Sequence, residues 1–365
     1  MDKLLYLYKG WRLYFAGLPG FGRNFTRDSI ISALLTNDAA MLGDQLRFCA
    51  DSQGQQPNSY DGEEPGKIHH EIPATVIAGL STKYNACDTT ALFLIGHRRY
   101  FELTADRSLI KSQEKNIKMA VSYILNHLRD DFFIEDPSYC GAAHFALKVT
   151  YWKDSCLPKR VNGQPVYPVI YPLADVQNIS ALRSASALLG DSSLKIKAQK
   201  MVRKLMDLFD QERGIFYIAK DSAGSISGAA SDSLHLLYYL EPGDLSSDVL
   251  EKLVDSSKVL ETKIGYRTLD QQTAQYSSDP YHSKTVWPFE QALINIAATR
   301  FGLSAAAEVS SRIIERLRMD QGFDPEIYEM VTDLGERGGC DTQLWTIAAK
   351  RYFASLLSND SLFKN

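Results

Sequence analysis

Apolar residues recur at helical spacing along most of the chain: Ile30, Ile31, Leu34 and Leu35, then Leu92, Phe93, Ile95 and Phe101, then Leu293, Ile294, Ile296, Ala297 and Phe301. Runs that alternate apolar and polar residues are few. Polar breaks at Thr36-Asn37-Asp38, Thr104-Ala105-Asp106, Leu189-Gly190-Asp191, Glu241-Pro242-Gly243 and Gly302-Leu303-Ser304 predict helices paired through short turns. The first helix of each pair opens on a polar run: RDSIISALL from Arg27, CDTTALFLI from Cys87, ADVQNISAL from Ala174, SDSLHLLYY from Ser231, VWPFEQALI from Val286 and CDTQLWTIA from Cys340. These openings lie more than fifty residues apart, so long loops feed the start of each first helix. Six such pairs can bury their apolar first helices by closing into a ring. The expected fold is therefore all-α, an (α/α)6 barrel of six helical hairpins; an open α-solenoid is the alternative, but its units seldom carry long, unequal loops at one end. After Asp341 only one helical stretch remains, and Asp2–Phe15 is expected to complete the ring. With no linker or low-complexity stretch, residues 1–365 read as a single domain.

Composition narrows the function classes. The chain is 45% hydrophobic and 23% charged with a formal charge of −4 and no block of either sign, which argues against nucleic acid or anionic lipid as partners. The opening MDKLLYLYKGWRLYF is interrupted by Lys9, Gly10 and Arg12, short of the ~20 apolar residues of a membrane span, and predicts neither signal peptide nor anchor. Five scattered cysteines without a CxxC pattern predict reduced thiols and a cytoplasmic location. Gly17, Gly20 and Gly22 lack the Lys-Ser/Thr of a phosphate loop and read as a flexible turn. His69, His70 and Glu71 lack a second ligand pair at metal spacing, so neither a metal nor another cofactor is expected.

Chemistry concentrates in the loops before the first helices, whose exposed N–H groups line a common end of the ring. Those loops hold Phe25-Thr26-Arg27-Asp28, Lys67-Ile68-His69-His70-Glu71, Tyr84-Asn85-Ala86-Cys87-Asp88, Tyr151-Trp152-Lys153-Asp154-Ser155, Tyr281-His282-Ser283-Lys284 and Asp324-Pro325-Glu326-Ile327-Tyr328. Carboxylates, aromatics and amides recur, whereas no Ser or Cys nucleophile has a base at a recognisable spacing. A neutral polyol such as a sugar fits this mixture, its ring face on Trp or Tyr and its hydroxyls on Asp, Arg, His and Gln.

Seven ordered segments carry a family resemblance: GRNFTRDSIISALL, PGKIHHEI, YNACDTTALFL, YWKDS, VYPVIYPLADVQ, YHSKTVWPFEQALI, and DPEIYE with GGCDTQLWTIAA. Together they span Gly22 to Ala349 and resemble the amylo-α-1,6-glucosidase family, the glucosidase part of glycogen-debranching enzymes, within the six-hairpin glycosidases. The resemblance implies an inverting, exo-acting hydrolase of an α-glucosidic linkage, with Asp154 as general acid and Glu326 as general base. Such a pair is expected to stand about 6.5–9.5 Å apart across the scissile bond. Arg27, Asp28, His69, Glu71, Asp88, Trp152, His282, Trp287 and Gln343 are the expected substrate-binding residues.

Rival readings follow from the same residues. Ala91, Lys284 and Leu157 stand where the family pattern has Pro, Gly and an acidic residue, which leaves substrate identity open to another α-glycoside of the mannosyl- or glucosyl-glycerate type. A barrel that binds sugar without turnover is a further alternative, and an isoprenoid-processing barrel lacks its DDxxD-type motif. Asp28, Asp88 and Asp341 can be read as helix caps, Glu329 as a rival base, and Trp345, inside a helix, as core.

Overall fold

A computed structural model describes residues 1–362, with side chains described through residue 357. Helices begin within a few residues of all six polar openings: α1 (Thr26–Thr36), α3 (Thr89–Thr104), α5 (Pro172–Leu189), α7 (Asp232–His235, continued by a 3-10 turn to Tyr239), α9 (Pro288–Phe301) and α12 (Leu344–Leu362). Each of the first five is followed by a partner: α2 (Ala39–Asp51), α4 (Glu114–Asn126), α6 (Ser192–Leu205), α8 (Ser247–Ser256), and α10 with α11 (Ser304–Ser311 and Ile313–Met319). The turns obey their local chemistry. Asn37 and Gly190 end α1 and α5 in the left-handed conformation, and Asp38 and Asp191 then accept the N–H groups of Met41 and Ser193 to open the next helix.

The first helices are buried on nearly every side, which explains their weak amphipathicity: Ile30, Leu92, Ile179, Leu236, Leu293 and Leu344 are at most 1% exposed. The second helices bury one stripe, as in α4, where Ile117, Ala120, Val121 and Ile124 face inward between exposed lysines. Packing runs α1 to α3, α3 to α5, α5 to α7, α7 to α9 and α9 to α12, and α12 returns to α1. One continuous apolar cluster follows this order from Leu4 to Phe353.

Two expectations change. The first and last helices of the order meet directly, α12 against α1, whereas Asp2–Phe15 forms a hairpin of strands Leu5–Tyr8 and Trp11–Tyr14 packed on α2. The two strands flank a two-residue turn, Lys9-Gly10, both of positive φ, the geometry that matches strand twist. The loops are also less irregular than an all-α reading implies. Short two- and three-stranded ladders tie them together, including Asn24–Phe25 with Glu71–Ile72, and Thr285–Val286 with Ile327–Glu329 and Glu336–Gly338.

Because the α12–α1 contact joins the two ends of the helical order, Leu344→Ala is expected to cost about 2–5 kcal/mol. Urea unfolding followed by circular dichroism measures it; a cost below about 1 kcal/mol means this contact is dispensable.

Candidate active site

The site forms where the loops preceding the first helices converge. Thr26-Arg27-Asp28 opens α1, and its backbone is fixed by the Phe25–Glu71 pairing and by Thr26 N–H donating to His70 O at 2.9 Å. Arg27 is buried. Its Nε and Nη2 donate to the two carboxylate oxygens of Asp88 at 2.7 and 3.1 Å, and Nη2 also reaches Thr150 O at 3.3 Å. The remaining nitrogen, Nη1, lies 3.5 Å from both Asp154 Oδ2 and His70 Nε2. Burial opposes a charge here, but Asp88 and Asp154 more than offset it and raise the guanidinium pKa.

Asp154 follows a run clamped by a single carboxylate. Tyr151 hydroxyl, Trp152 Nε1 and Lys153 Nζ all donate to Asp232, at 3.2, 2.7 and 3.0 Å, from the first turn of α7. Lys153 is thereby turned away from Asp154 and satisfied by Ser231 and Thr268 O. Asp154 remains partly exposed and lines a cavity with Phe21, Arg27, Asp28, Trp152, Tyr281, His282, Trp287, Glu326, Gln343 and Trp345. Burial raises its pKa, with His282 and Arg27 opposing.

Glu326 enters the cavity from the opposite side of the sequence. Its backbone N–H donates to Cys340 O at 2.9 Å, and Cys340 N–H donates to its Oε2 at 3.0 Å. Gly339, at φ +68°, backs directly on this carboxylate, where a Cβ would fall 2.2 Å from Oε2. Burial raises the Glu326 pKa, while hydrogen bonds from the Tyr281 hydroxyl and the Cys340 N–H hold it down. Asp28 is a third buried carboxyl, lifted by burial and by the nearby charges of Glu326 and Asp154, with Arg27 opposing. Gln343 Nε2 donates to its Oδ1 at 3.3 Å.

Both proposed catalytic carboxyls and six of the nine expected binding residues (Arg27, Asp28, Trp152, His282, Trp287 and Gln343) meet in this one lining. Three do not. His69 turns into the protein against Phe48 and the Ser52 hydroxyl, and burial lowers its pKa to about 3. It is His70 whose Nε2 lies 3.9 Å from Asp154 Oδ2. Glu71 is taken by Arg23 and the Thr82 hydroxyl. Asp88 makes no side-chain cap bond; it holds Arg27 instead. Glu329 sits in the strand Ile327–Glu329, outside the lining. Trp345 is buried and also borders the cavity, stacked on Phe289 at 4.0 Å. Gly17 is no free turn: it pairs with Gln343 and has no room for a Cβ beside that side chain.

Sequence reasoning missed Asp232, Tyr281 and Asp279. Ser155 hydroxyl, His282 Nδ1 and Asp279 form one cluster that orients His282 flat against Trp287, 5.2 Å between rings. Burial works against the Asp279 charge, but bonds from His282 and Ser155 hold its pKa at about 2. Asp232 was visible only as one of the aligned helix openings. Among the described residues, Asp232, His235 and Glu290 bring possible metal-ligating atoms within 4.8 Å of one another, but the Lys153 ammonium already supplies a cation to Asp232. The cavity is small, about 60 Å³, against the ~300–1,000 Å³ usual for ligand sites.

No protein-family model matches the chain, and no curated protein is significantly similar to it. Solved structures are similar in fold. A GH63 mannosylglycerate hydrolase from Thermus thermophilus in complex with Tris superposes with a TM-score of 0.71 at 14% identity, over 94% of this chain and 96% of that one. The same enzyme in complex with glucose gives a TM-score of 0.70 at 13% identity, over 94% and 95%. A rhamnosidase from Klebsiella oxytoca with rhamnose bound gives 0.62 at 12% identity, over 95% of this chain and 60% of that one. The chain thus shares its largely helical fold with glycosidases, and no helix among the described residues is long and apolar enough to cross a membrane.

Proposed function

We propose that the protein is an inverting glycoside hydrolase, a single-domain (α/α)6 barrel acting on a terminal α-linked hexose, with Asp154 as general acid and Glu326 as general base. The observation that carries this reading is the placement of Asp154 and Glu326, from loops far apart in sequence, in the lining of one cavity. The protonated Asp154 carboxyl gives its proton to the glycosidic oxygen as the C1–O bond breaks. Glu326 takes a proton from a water that attacks C1 from the other face, and the sugar leaves with its anomeric configuration inverted. Burial raises the pKa of both carboxyls, opposed at Asp154 by His282 and Arg27 and at Glu326 by the Tyr281 hydroxyl and the Cys340 N–H.

The resemblance in sequence favours an α-glucoside in the manner of the debranching glucosidases, hydrolysed in the cytoplasm. A second reading, a small α-mannosyl or α-glucosyl conjugate of a hydroxy acid, is supported by the end-to-end match in fold with the mannosylglycerate hydrolase. Both readings place Arg27, Asp28, Trp152, His282, Trp287 and Gln343 around the sugar. A panel of α-1,2, α-1,3, α-1,4 and α-1,6 glucosides, α-mannosides and their glycerates distinguishes them by kcat/KM. No turnover on any member sinks the hydrolase reading and favours a barrel that only binds sugar.

Asp154→Asn and Glu326→Gln are each expected to lower kcat about a hundredfold or more with folding intact, as loss of a general acid or base costs ~10²–10⁴. Glu329→Gln is expected to stay near wild type, and the reverse result would move the base to Glu329. The pH profile of kcat/KM should be bell-shaped. Activity rises with pH as Glu326 ionises, above the ordinary glutamate range because burial raises its pKa, and falls as Asp154 loses its proton. Initial rates across pH check it; a limb below the ordinary carboxylate range contradicts the burial argument.

A further inference from the structure

A cleft of about 860 Å³ lies away from the candidate active site, between the segment Val259–Gln271 and the turn Met330–Leu334. Its basic groups are Lys263, Arg267 and Arg312. Two are matched: Lys263 pairs with Asp333 at 2.7 Å and Arg312 with Glu261 at 3.2 Å. Arg267 differs. It is 9% exposed, its backbone N–H is fixed on Leu260 O at 2.9 Å, and its Nε is buried with no hydrogen-bond partner. Among the described residues its guanidinium has no carboxylate within ion-pair distance. Asp270, whose charge acts on it, already accepts from Ala229 N–H, Thr273 N–H and the Thr273 hydroxyl.

A guanidinium stays charged in proteins, and burying it without an acceptor is costly, so the chain retains here a cation whose matching anion it does not supply. The cleft carries three positive and two negative side chains and is much larger than a water site. We propose that it binds a small oxyanion ligand, carboxylate or phosphate, on Arg267, with Gln271 and Thr332 offering neutral donors from the same walls. The site has a physical route to the candidate active site. Met330–Leu334 is the turn of the hairpin Ile327–Glu329 and Glu336–Gly338, which begins one residue after Glu326 and ends beside Gly339. A ligand that fixes the turn therefore steadies the hairpin that places the Glu326 carboxylate.

Isothermal titration of the full chain with inorganic phosphate, and separately with malonate, tests the site without reference to catalysis. Wild type is expected to bind at least one of them at one site per chain and to unfold at higher temperature in its presence. R267Q is expected to bind about tenfold more weakly or worse, and to be no less stable than wild type in buffer free of oxyanions. R267K, which keeps the charge on a single nitrogen, should fall between. The proposal is overturned if wild type binds neither probe, if R267Q and R267K bind as wild type does, or if R267Q alone lowers the unfolding temperature, which would give Arg267 a structural partner. The phosphate and malonate arms separate a phosphate site from a carboxylate site.

Discussion

Arg27 is buried and finds its counter-charge inside the protein, and the walls of the candidate site depend on how it does so. The bidentate bond to Asp88 ties the first turn of α1 to the residue before α3, two elements 61 residues apart. Planar two-point pairing of this kind fixes direction as well as distance. It leaves one edge of the guanidinium facing Asp154, so the charge that joins two first helices also acts on the carboxyl read as the acid, against the effect of burial. Removing Asp88 would leave Arg27 buried and uncompensated, a loss that ordinarily costs about 3–5 kcal/mol.

The same economy recurs on the other wall. Asp232 receives three consecutive side chains, Tyr151, Trp152 and Lys153, from a bend of the chain. The result is that Trp152 stands edge-on to Trp287 and His282, an aromatic surface suited to a sugar face, while the lysine is kept out of the cavity. Glu326 is held by backbone alone on one side and by Tyr281 on the other. The two carboxyls therefore sit in different surroundings: Asp154 beside the Arg27 guanidinium, Glu326 between the Tyr281 hydroxyl and the Cys340 N–H.

The helical order was legible because the first helices are apolar on all faces and open on polar residues, a contrast that survives in sequence as Asp-Ser and Asp-Thr. The N-terminal hairpin was not, since Leu5–Tyr14 reads as an interrupted apolar stretch until the positive φ of Lys9 and Gly10 is known. Site residues that touch the cavity were largely recovered from motifs. His69 and His70 were confused because adjacent residues of an extended segment face opposite ways, and nothing in the sequence says which way is inward. Asp279 and Asp232 escaped because they act through other side chains, and a supporting carboxylate looks like any surface acid until its partners are seen.

The most direct measurement is the anomeric configuration of the first product, followed by proton NMR during hydrolysis of an α-linked substrate before mutarotation equilibrates it. Asp154 and Glu326 acting from opposite sides through a water predict that the β-hexose appears first. Initial release of the α-anomer would mean retention through a glycosyl-enzyme intermediate and would contradict the roles assigned to both carboxyls.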